Sequence, residues 1–137
     1  MKISFFHDNF ITNDNGKLYS NGSLTETVIN RYKKLCDQLI LVARSDNSRD
    51  YKNLSFISKI NELDYIPISN FISIKIYRLF YAITNIQNAI KKSNHLVVRL
   101  PSFIGLLTLS LALNKKNVII ELVGCPLDTF KNHSKVG

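Results

Sequence analysis

Residues 96–122 read LVVRLPSFIGLLTLSLALNKKNVIIEL, and this stretch decides the fold. Its two ends, Leu96–Arg99 and Val118–Leu122, are short apolar runs of the kind found in buried strands. Between them, Pro101 opens an apolar segment that extends to about Leu113 and is typical of a helix with proline in its first turn. A buried strand, a helix and a second buried strand in this order predict two parallel strands joined by a helical crossover.

The same alternation extends back to the start of the chain. Two apolar runs, Lys2–Phe6 and Gln38–Ala43, are predicted to be buried strands, and Leu54–Ile57 a short third strand. The segment Ser23–Glu26 has the pattern of a capping box, and an apolar stripe over Ile72–Ile90 has helical spacing. We therefore predict an α/β fold with a Rossmann-like open parallel sheet of about five strands and helices on both faces.

Two segments are predicted to be irregular. Residues 7–22 are polar and form an unusually long strand-to-helix connection, which marks them as a candidate functional loop. Residues 59–70 contain Pro67, which disfavours a strand.

The core pattern ends near residue 128, so we assign residues 1–128 to one domain and residues 129–137 to a polar tail or the start of an interdomain linker.

Length and composition are those of one globular domain, with 137 residues, 45% hydrophobic and 20% charged. No long apolar run follows Met1, and the longest apolar stretch, Phe103–Leu113, is too short for a membrane span. A cytoplasmic location is therefore predicted. The two cysteines, Cys36 and Cys125, and three dispersed histidines have no metal-binding spacing.

Positive charge is concentrated in the second half of the chain. The net charge is +8, residues 66–137 contain nine Lys/Arg against two Asp/Glu, and no carboxylate occurs between Tyr65 and Ile120. Such a field attracts anions, which include a lipid headgroup layer, a pyrophosphate or a nucleic acid. A solvated basic surface without a ligand is the alternative.

Candidate site residues follow from the topology, because open parallel sheets bind ligands beyond the carboxyl ends of their strands. Polar residues stand at each predicted strand end: His7, Asp8, Arg44, Arg99, Ser102 and Glu121. Gly22 and Ser23 precede the first predicted helix, whose amino end favours anions. An ion pair between Arg99 and Glu121 on neighbouring strands is a purely structural alternative. The Gly-rich dinucleotide fingerprint, the P-loop and the nucleophile elbow of serine hydrolases are all absent.

Several segments resemble bacterial glycosyltransferases of the family 4 type, which build capsule, O-antigen or exopolysaccharide. HDNF at 7–10, YSNGSL at 19–24 and LVAR at 41–44 are similar to the start of these enzymes. VRLPSFIG at 98–105, followed by IELVGCPLD at 120–128, is similar to a later part, where members often read R-x-P-S and then E-x-V-G-D-P.

The resemblance implies one half of a GT-B fold, in which two Rossmann-like domains face each other across a cleft. The amino-terminal domain holds the acceptor, a lipid-linked saccharide or oligosaccharide, and the carboxy-terminal domain holds a nucleotide-sugar donor. We expect this chain to be the acceptor-side half, without the donor domain, without a cofactor of its own and inactive alone. The residues expected to line the acceptor side are His7, Asp8, Gly22, Ser23, Arg44, Arg99, Ser102 and Glu121.

No catalytic residue is assigned, because relatives often carry a histidine near the position of Val123 and Gly124, and this chain has Cys125 where relatives often have aspartate. The arginines are expected to hold phosphate or sugar hydroxyls, and the carboxylates to accept hydrogen bonds from hydroxyls.

The predicted helix around Lys75 and Arg78 also carries aromatic residues, a combination that can rest on an anionic membrane at the inner face. A buried stripe with snorkelling cations is the alternative. Two other classes of function are a non-catalytic α/β module that binds an anionic ligand or partner, and a nucleic-acid-binding protein. We do not favour nucleic acid as a partner, because cations and aromatics are not interleaved on a groove-reading element.

Overall fold

The computed structural model describes residues 1–22, 24–46, 54–69, 76–112 and 117–122. These residues form an α/β protein with an open, mixed sheet of seven strands and three helices. The strands are β1 (Lys2–Asp14), β2 (Lys17–Ser20), β3 (Gln38–Ser45), β4 (Ser55–Lys59), β5 (Asp64–Ile68), β6 (His95–Leu100) and β7 (Val118–Leu122). The helices are α1 (Glu26–Lys33), α2 (Ile76–Lys92) and α3 (Phe103–Leu111).

Five strands run parallel in the order β7-β6-β1-β3-β5. The chain starts at the centre with β1, moves outward through β3 to β5, and then crosses back to β6 on the other side of β1. The direction of winding therefore reverses between β1 and β6. In open α/β sheets, the carboxyl ends of the two strands at such a reversal flank the ligand crevice.

The prediction of a loop over residues 7–22 is wrong, because β1 continues to Asp14 and returns as β2. The turn lies at Asn15 and Gly16, which both have positive φ angles of 50° and 81°. Asn-Gly favours such turns because both residues tolerate the left-handed region. The hairpin buries Ile11 and Leu18, and β2 also pairs with β4 in the antiparallel direction.

The third parallel strand was also predicted at the wrong place. Of the predicted strand Leu54–Ile57, residues 55–57 lie in β4, which is antiparallel to β2, whereas β5 lies within residues 59–70, which were predicted to be irregular. Strand β5 contains Pro67, which pairs with Ala43 of β3. Proline is tolerated here because β5 is an edge strand among the described residues, so its outer side needs no amide donor.

Two apolar layers cover the sheet, one on each face. Since side chains alternate along a strand, Ile3 and Phe5 of β1 pack on the side of α1, whereas Phe6 packs with α2 and α3. Helix α1 begins two residues later than the predicted capping box, since Thr25 is its N-cap and accepts a hydrogen bond from the amide of Val28 at 3.4 Å.

Helix α2 is where the predicted apolar stripe departs most from the structure. Its buried residues are Ala82, Ile86 and Ala89, whereas Ile76 is 71% exposed although it belongs to the predicted stripe. Tyr77, Phe80 and Tyr81 are also more than half exposed, so the first turns of α2 lie outside the layer of buried side chains.

Candidate functional site

Four predicted site residues come together near the carboxyl ends of β3 and β6, beside the point after Phe6 where β1 leaves its pairing with β6. Asp8 Oδ1 accepts a hydrogen bond from Arg44 Nε at 3.0 Å, and Arg99 Nη1 lies 3.0 Å from His7 Nε2. We call these four residues, His7, Asp8, Arg44 and Arg99, the edge cluster. It lies at the reversal between β1 and β6, the position that the topology assigns to a ligand crevice.

Asp8 is held by contacts with two other elements of the fold. Its Oδ2 accepts a hydrogen bond from the backbone amide of Phe103 at 3.0 Å, and its Oδ1 from that of Ile104 at 3.5 Å. These amides belong to the first turn of α3, where the helix dipole favours a carboxylate. The same carboxylate pairs with Arg44, whose side chain is only 7% exposed. Asp8 therefore neutralises a nearly buried cation and caps a helix at once.

Ser102, which was predicted to bind a ligand, is the N-cap of α3. Its Oγ accepts a hydrogen bond from the amide of Gly105 at 2.8 Å and donates one to the carbonyl oxygen of Arg99 at 2.7 Å. A β-carbon at Gly105 would lie 2.5 Å from Ser102 Oγ and 2.7 Å from the carbonyl oxygen of Arg99. Glycine is thus required for this close approach, which fixes the start of α3 against the end of β6.

Replacement of Ser102 by alanine is expected to destabilise the protein by about 1 kcal/mol, the usual contribution of an N-cap hydroxyl. Urea unfolding followed by circular dichroism measures this change. Ser110→Ala is the matched control, because Ser110 lies exposed on the same helix and donates to Leu106 within the helix. Equal stability of the two variants would contradict the capping role of Ser102.

The ring of His7 is nearly buried, with 3% of its surface exposed. The amide nitrogen of Asn9 lies 3.1 Å from its Nδ1, and its ring meets that of Phe5 edge-on with the ring centres 5.6 Å apart. Burial, and then the Arg99 guanidinium, lower the pKa of His7 to about 4, although the Asp8 carboxylate opposes the shift. His7 is therefore a neutral imidazole at pH 7.

Glu121 contacts α1 rather than the edge cluster. It is in register with Arg99 on the neighbouring strand, yet it accepts a hydrogen bond from the Tyr32 hydroxyl and lies 4.0 Å from Arg31 Nη2. Burial, and then the hydrogen bond with Glu121, raise the pKa of Tyr32 to about 12. The alternative of an Arg99–Glu121 ion pair is wrong, and Arg99 makes no ion pair within the described part of the chain.

Gly22 lies beside the edge cluster through Asn9, a residue that the sequence analysis did not single out. A β-carbon at Gly22 would lie 2.5 Å from Asn9 Nδ2, so only glycine allows this contact without a shift. Asn9 Nδ2 in turn lies 3.3 Å from Ser20 Oγ, which also accepts the amide of Gly22. Ser23, the remaining predicted site residue, lies outside the described residues.

Two shallow cavities occur elsewhere on the described surface. One of about 300 Å³ is lined by Asn15, Gly16, Lys17, Lys59, Ile60 and Asn61. Another of about 410 Å³ lies at the start of β3 and β5 and is lined by Asp37, Gln38, Asn61, Glu62, Leu63 and Asp64. Neither includes a residue of the edge cluster. We favour the edge cluster as the site because its histidine of shifted pKa is buried, whereas Asp37 and Glu62, the cavity residues whose pKa values are lowered by charged partners, lie in solvent.

An exposed apolar surface borders the edge cluster at the first turns of α2 and α3. Five of its side chains are more than half exposed: Tyr77, Phe80, Tyr81, Phe103 and Leu106. We call these five residues the apolar rim. Phe103 joins the rim to the cluster, because its backbone amide donates a hydrogen bond to Asp8, and α3 contacts α2. None of the described helices combines the length and apolar character that a membrane crossing requires.

Of the predicted site residues, His7, Asp8, Arg44 and Arg99 thus lie in contact with one another, and Ser102 and Gly22 lie beside them. Glu121 instead forms a hydrogen bond with Tyr32 of α1. Over the described ranges, no group of three His, Cys, Asp or Glu side chains is arranged to hold a metal ion. Comparisons of the chain with protein-family models, with curated proteins and with solved structures found no match.

Proposed function

We propose that the chain is the acceptor-side domain of a glycosyltransferase that builds a surface polysaccharide such as capsule, O-antigen or exopolysaccharide. The observation that carries this proposal is the convergence of His7, Asp8, Arg44 and Arg99 at the reversal of the sheet. The motifs that resemble family 4 glycosyltransferases include these same four residues.

The order of the five parallel strands supports a Rossmann-like domain, one half of a GT-B enzyme. The two halves of the sheet wind away from β1 in opposite directions, and open α/β sheets bind ligands beside such a reversal, which here lies at the end of β6 and after Phe6 of β1. In a GT-B enzyme, a second domain that binds the nucleotide-sugar donor would face this crevice. The apolar rim is suited to a contact with such a domain or with the lipid of an acceptor, because exposed apolar patches commonly mark interaction sites.

The side chains suit the recognition of a polar, partly anionic acceptor. Arg99 donates to oxygen atoms of phosphate or hydroxyl groups, and the neutral His7 imidazole accepts or donates one hydrogen bond. Asp8 and Arg44 support the site, because their ion pair and the hydrogen bond from Phe103 hold the first turn of α3 beside β1 and β3. A lipid-linked acceptor at the anionic inner membrane face is supported by the lack of carboxylates from Tyr65 to Ile120.

A transfer assay with a lipid-linked saccharide and radiolabelled nucleotide sugars tests this function. We expect no transfer by the chain alone, and transfer once a carboxy-terminal GT-B donor domain is fused to it. In the fusion, Arg99→Met is expected to lower kcat/KM by about tenfold or more, because a hydrogen bond from a charged donor contributes about 1.5–3 kcal/mol. Lys91→Met is the control, since it removes the same charge at the far, exposed end of α2.

Full-rate transfer by the isolated chain would contradict the two-domain account. A fusion that binds the nucleotide sugar but neither binds nor modifies any saccharide acceptor would contradict the acceptor role. That second result would favour the other candidate, a non-catalytic module for an anionic ligand, because the pair of His7 and Arg99 needs no donor domain in order to bind.

A further inference from the structure

Both ring nitrogens of His7 face hydrogen-bond donors. The amide of Asn9 lies 3.1 Å from Nδ1, and Arg99 Nη1 lies 3.0 Å from Nε2. A neutral imidazole carries one N–H group and one acceptor nitrogen, and arginine has no acceptor. In the Nδ1–H tautomer the amide of Asn9 therefore faces another N–H group, and in the Nε2–H tautomer the guanidinium of Arg99 does. Protonation gives no relief, because an imidazolium has two N–H groups.

The charges around this contact leave one cation in excess. The Asp8 carboxylate is shared by Arg44 and the first turn of α3, so the amino end of that helix is already occupied. The Glu121 carboxylate is shared by Tyr32 and Arg31. Arg99 is the cation of the edge cluster for which the described residues supply no carboxylate. A ligand with a negatively charged oxygen would accept the hydrogen bonds of the opposed donors and would also neutralise the charge of Arg99.

We propose that Arg99 and the Nε2–H group of His7 together bind an oxyanion of the phosphoryl class. One oxygen of the ligand accepts from both donors, which leaves Nδ1 free to accept from the amide of Asn9. The planar guanidinium adds a second N–H group toward another oxygen of the same ligand. The proposal rests on the proposed function for its position at the acceptor side, but oxyanion binding requires no sugar transfer.

The tautomer of His7 reports the binding directly. In long-range ¹H–¹⁵N spectra at pH 7, the free protein is expected to show the Nδ1–H tautomer, since the charged Arg99 is the stronger donor to Nε2. Addition of inorganic pyrophosphate is expected to convert His7 to the Nε2–H tautomer. The signal is assigned by its loss in His7→Gln. An unchanged His7 tautomer at saturating pyrophosphate would overturn the proposal.

Substitutions at two cations locate the binding. Arg99→Met is expected to weaken pyrophosphate binding by about tenfold or more, as the loss of a charge-assisted hydrogen bond requires, whereas Lys91→Met stays within twofold of the unchanged protein. Arg99→Lys keeps the charge but loses the planar fork, so it should bind between these limits. If Arg99→Met does not fold, Arg99→Lys takes its place as the test variant. Equal binding by Arg99→Lys and the unchanged protein, with no tautomer response, would overturn the proposal.

Two arms of the experiment separate a soluble phosphate from a lipid headgroup. One measures pyrophosphate in solution, and the other measures sedimentation with phosphatidylcholine vesicles that contain phosphatidylglycerol. Binding that depends on Arg99 in either arm supports the oxyanion site and identifies its source. Binding independent of Arg99 in both arms, or absent from both, overturns it. Because no sugar is present, failure here leaves the transfer assay unaffected, and failure of that assay leaves this result unaffected.

Discussion

Replacement of Asp8 by alanine is expected to destabilise the protein by about 2–3 kcal/mol. Removal of one partner of a buried ion pair typically costs about 3–5 kcal/mol, and we lower this value because the Asp8 side chain is 29% exposed. The substitution leaves the nearly buried Arg44 without this carboxylate and removes the acceptor of the Phe103 amide. Urea unfolding at pH 7 measures the change in the free energy of unfolding.

Two further variants identify the cause of this loss. Asp8→Asn keeps an oxygen for the amide of Phe103 but not the negative charge, so its stability should lie between those of Asp8→Ala and the unchanged protein. Asp37→Ala is the control, because Asp37 pairs with the terminal amine of Met1 in solvent, where an ion pair contributes little. Equal stability of Asp8→Ala and Asp37→Ala would show that the Asp8 carboxylate does not stabilise the fold through Arg44 and the Phe103 amide.

The second large effect is a loss of stability in mild acid through His7. Its pKa is about 4 in the folded protein and 6.5 in the unfolded chain, so between pH 6.5 and 4 mainly the unfolded chain takes up this proton. The free energy of unfolding is therefore not reduced by His7 above pH 6.5. It declines as the pH falls from 6.5 to 4, and below pH 4 the reduction due to His7 stays constant. A shift of this size corresponds to about 3 kcal/mol.

Unfolding free energies measured between pH 7.5 and about 4 test this effect. The decline is expected to be smaller by about 3 kcal/mol in His7→Gln, which does not titrate in this range. His95→Gln retains His7, so in this control variant the decline in unfolding free energy that is due to His7 is expected to remain. If His7→Gln and the unchanged protein lose stability in parallel, the buried and neutral state of His7 is refuted.

The short apolar runs of the sequence were sufficient to locate β3, β6 and β7, although Arg99 and Glu121 lie within the last two. The prediction that Val118–Leu122 is a buried strand is wrong, because Ile119, Ile120 and Leu122 are at least half exposed. The hairpin was missed because residues 7–22 are rich in Asn, Asp and Gly, which are depleted in strands, although Ile11 and Leu18 join the core. Strand β5 was missed because Pro67 disfavours a strand, and the tolerance of an edge position is a tertiary property.

The site was predictable to the extent that topology fixed it. His7, Asp8 and Arg99 lie close together because the parallel pairing of β1 with β6 ends just before His7, and this required no knowledge of side chains. Side-chain geometry decided the rest. The bond between Tyr32 and Glu121 joins residues 89 positions apart, and no local pattern indicates it. The role of Asn9 beside Gly22 depends equally on a close approach in space.

The central claim is that the edge cluster is the acceptor site, and an amide chemical-shift map tests it most directly. The full chain, labelled with ¹⁵N, would be titrated with a short-chain prenyl diphosphate that carries a saccharide. The account predicts the largest shifts at residues 7–9, at Gly22 and at residues 99–105, with loss of these shifts in Arg99→Met. Shifts confined to the cavity around residues 37–38 and 61–64, with residues 7–9 unmoved, would contradict it.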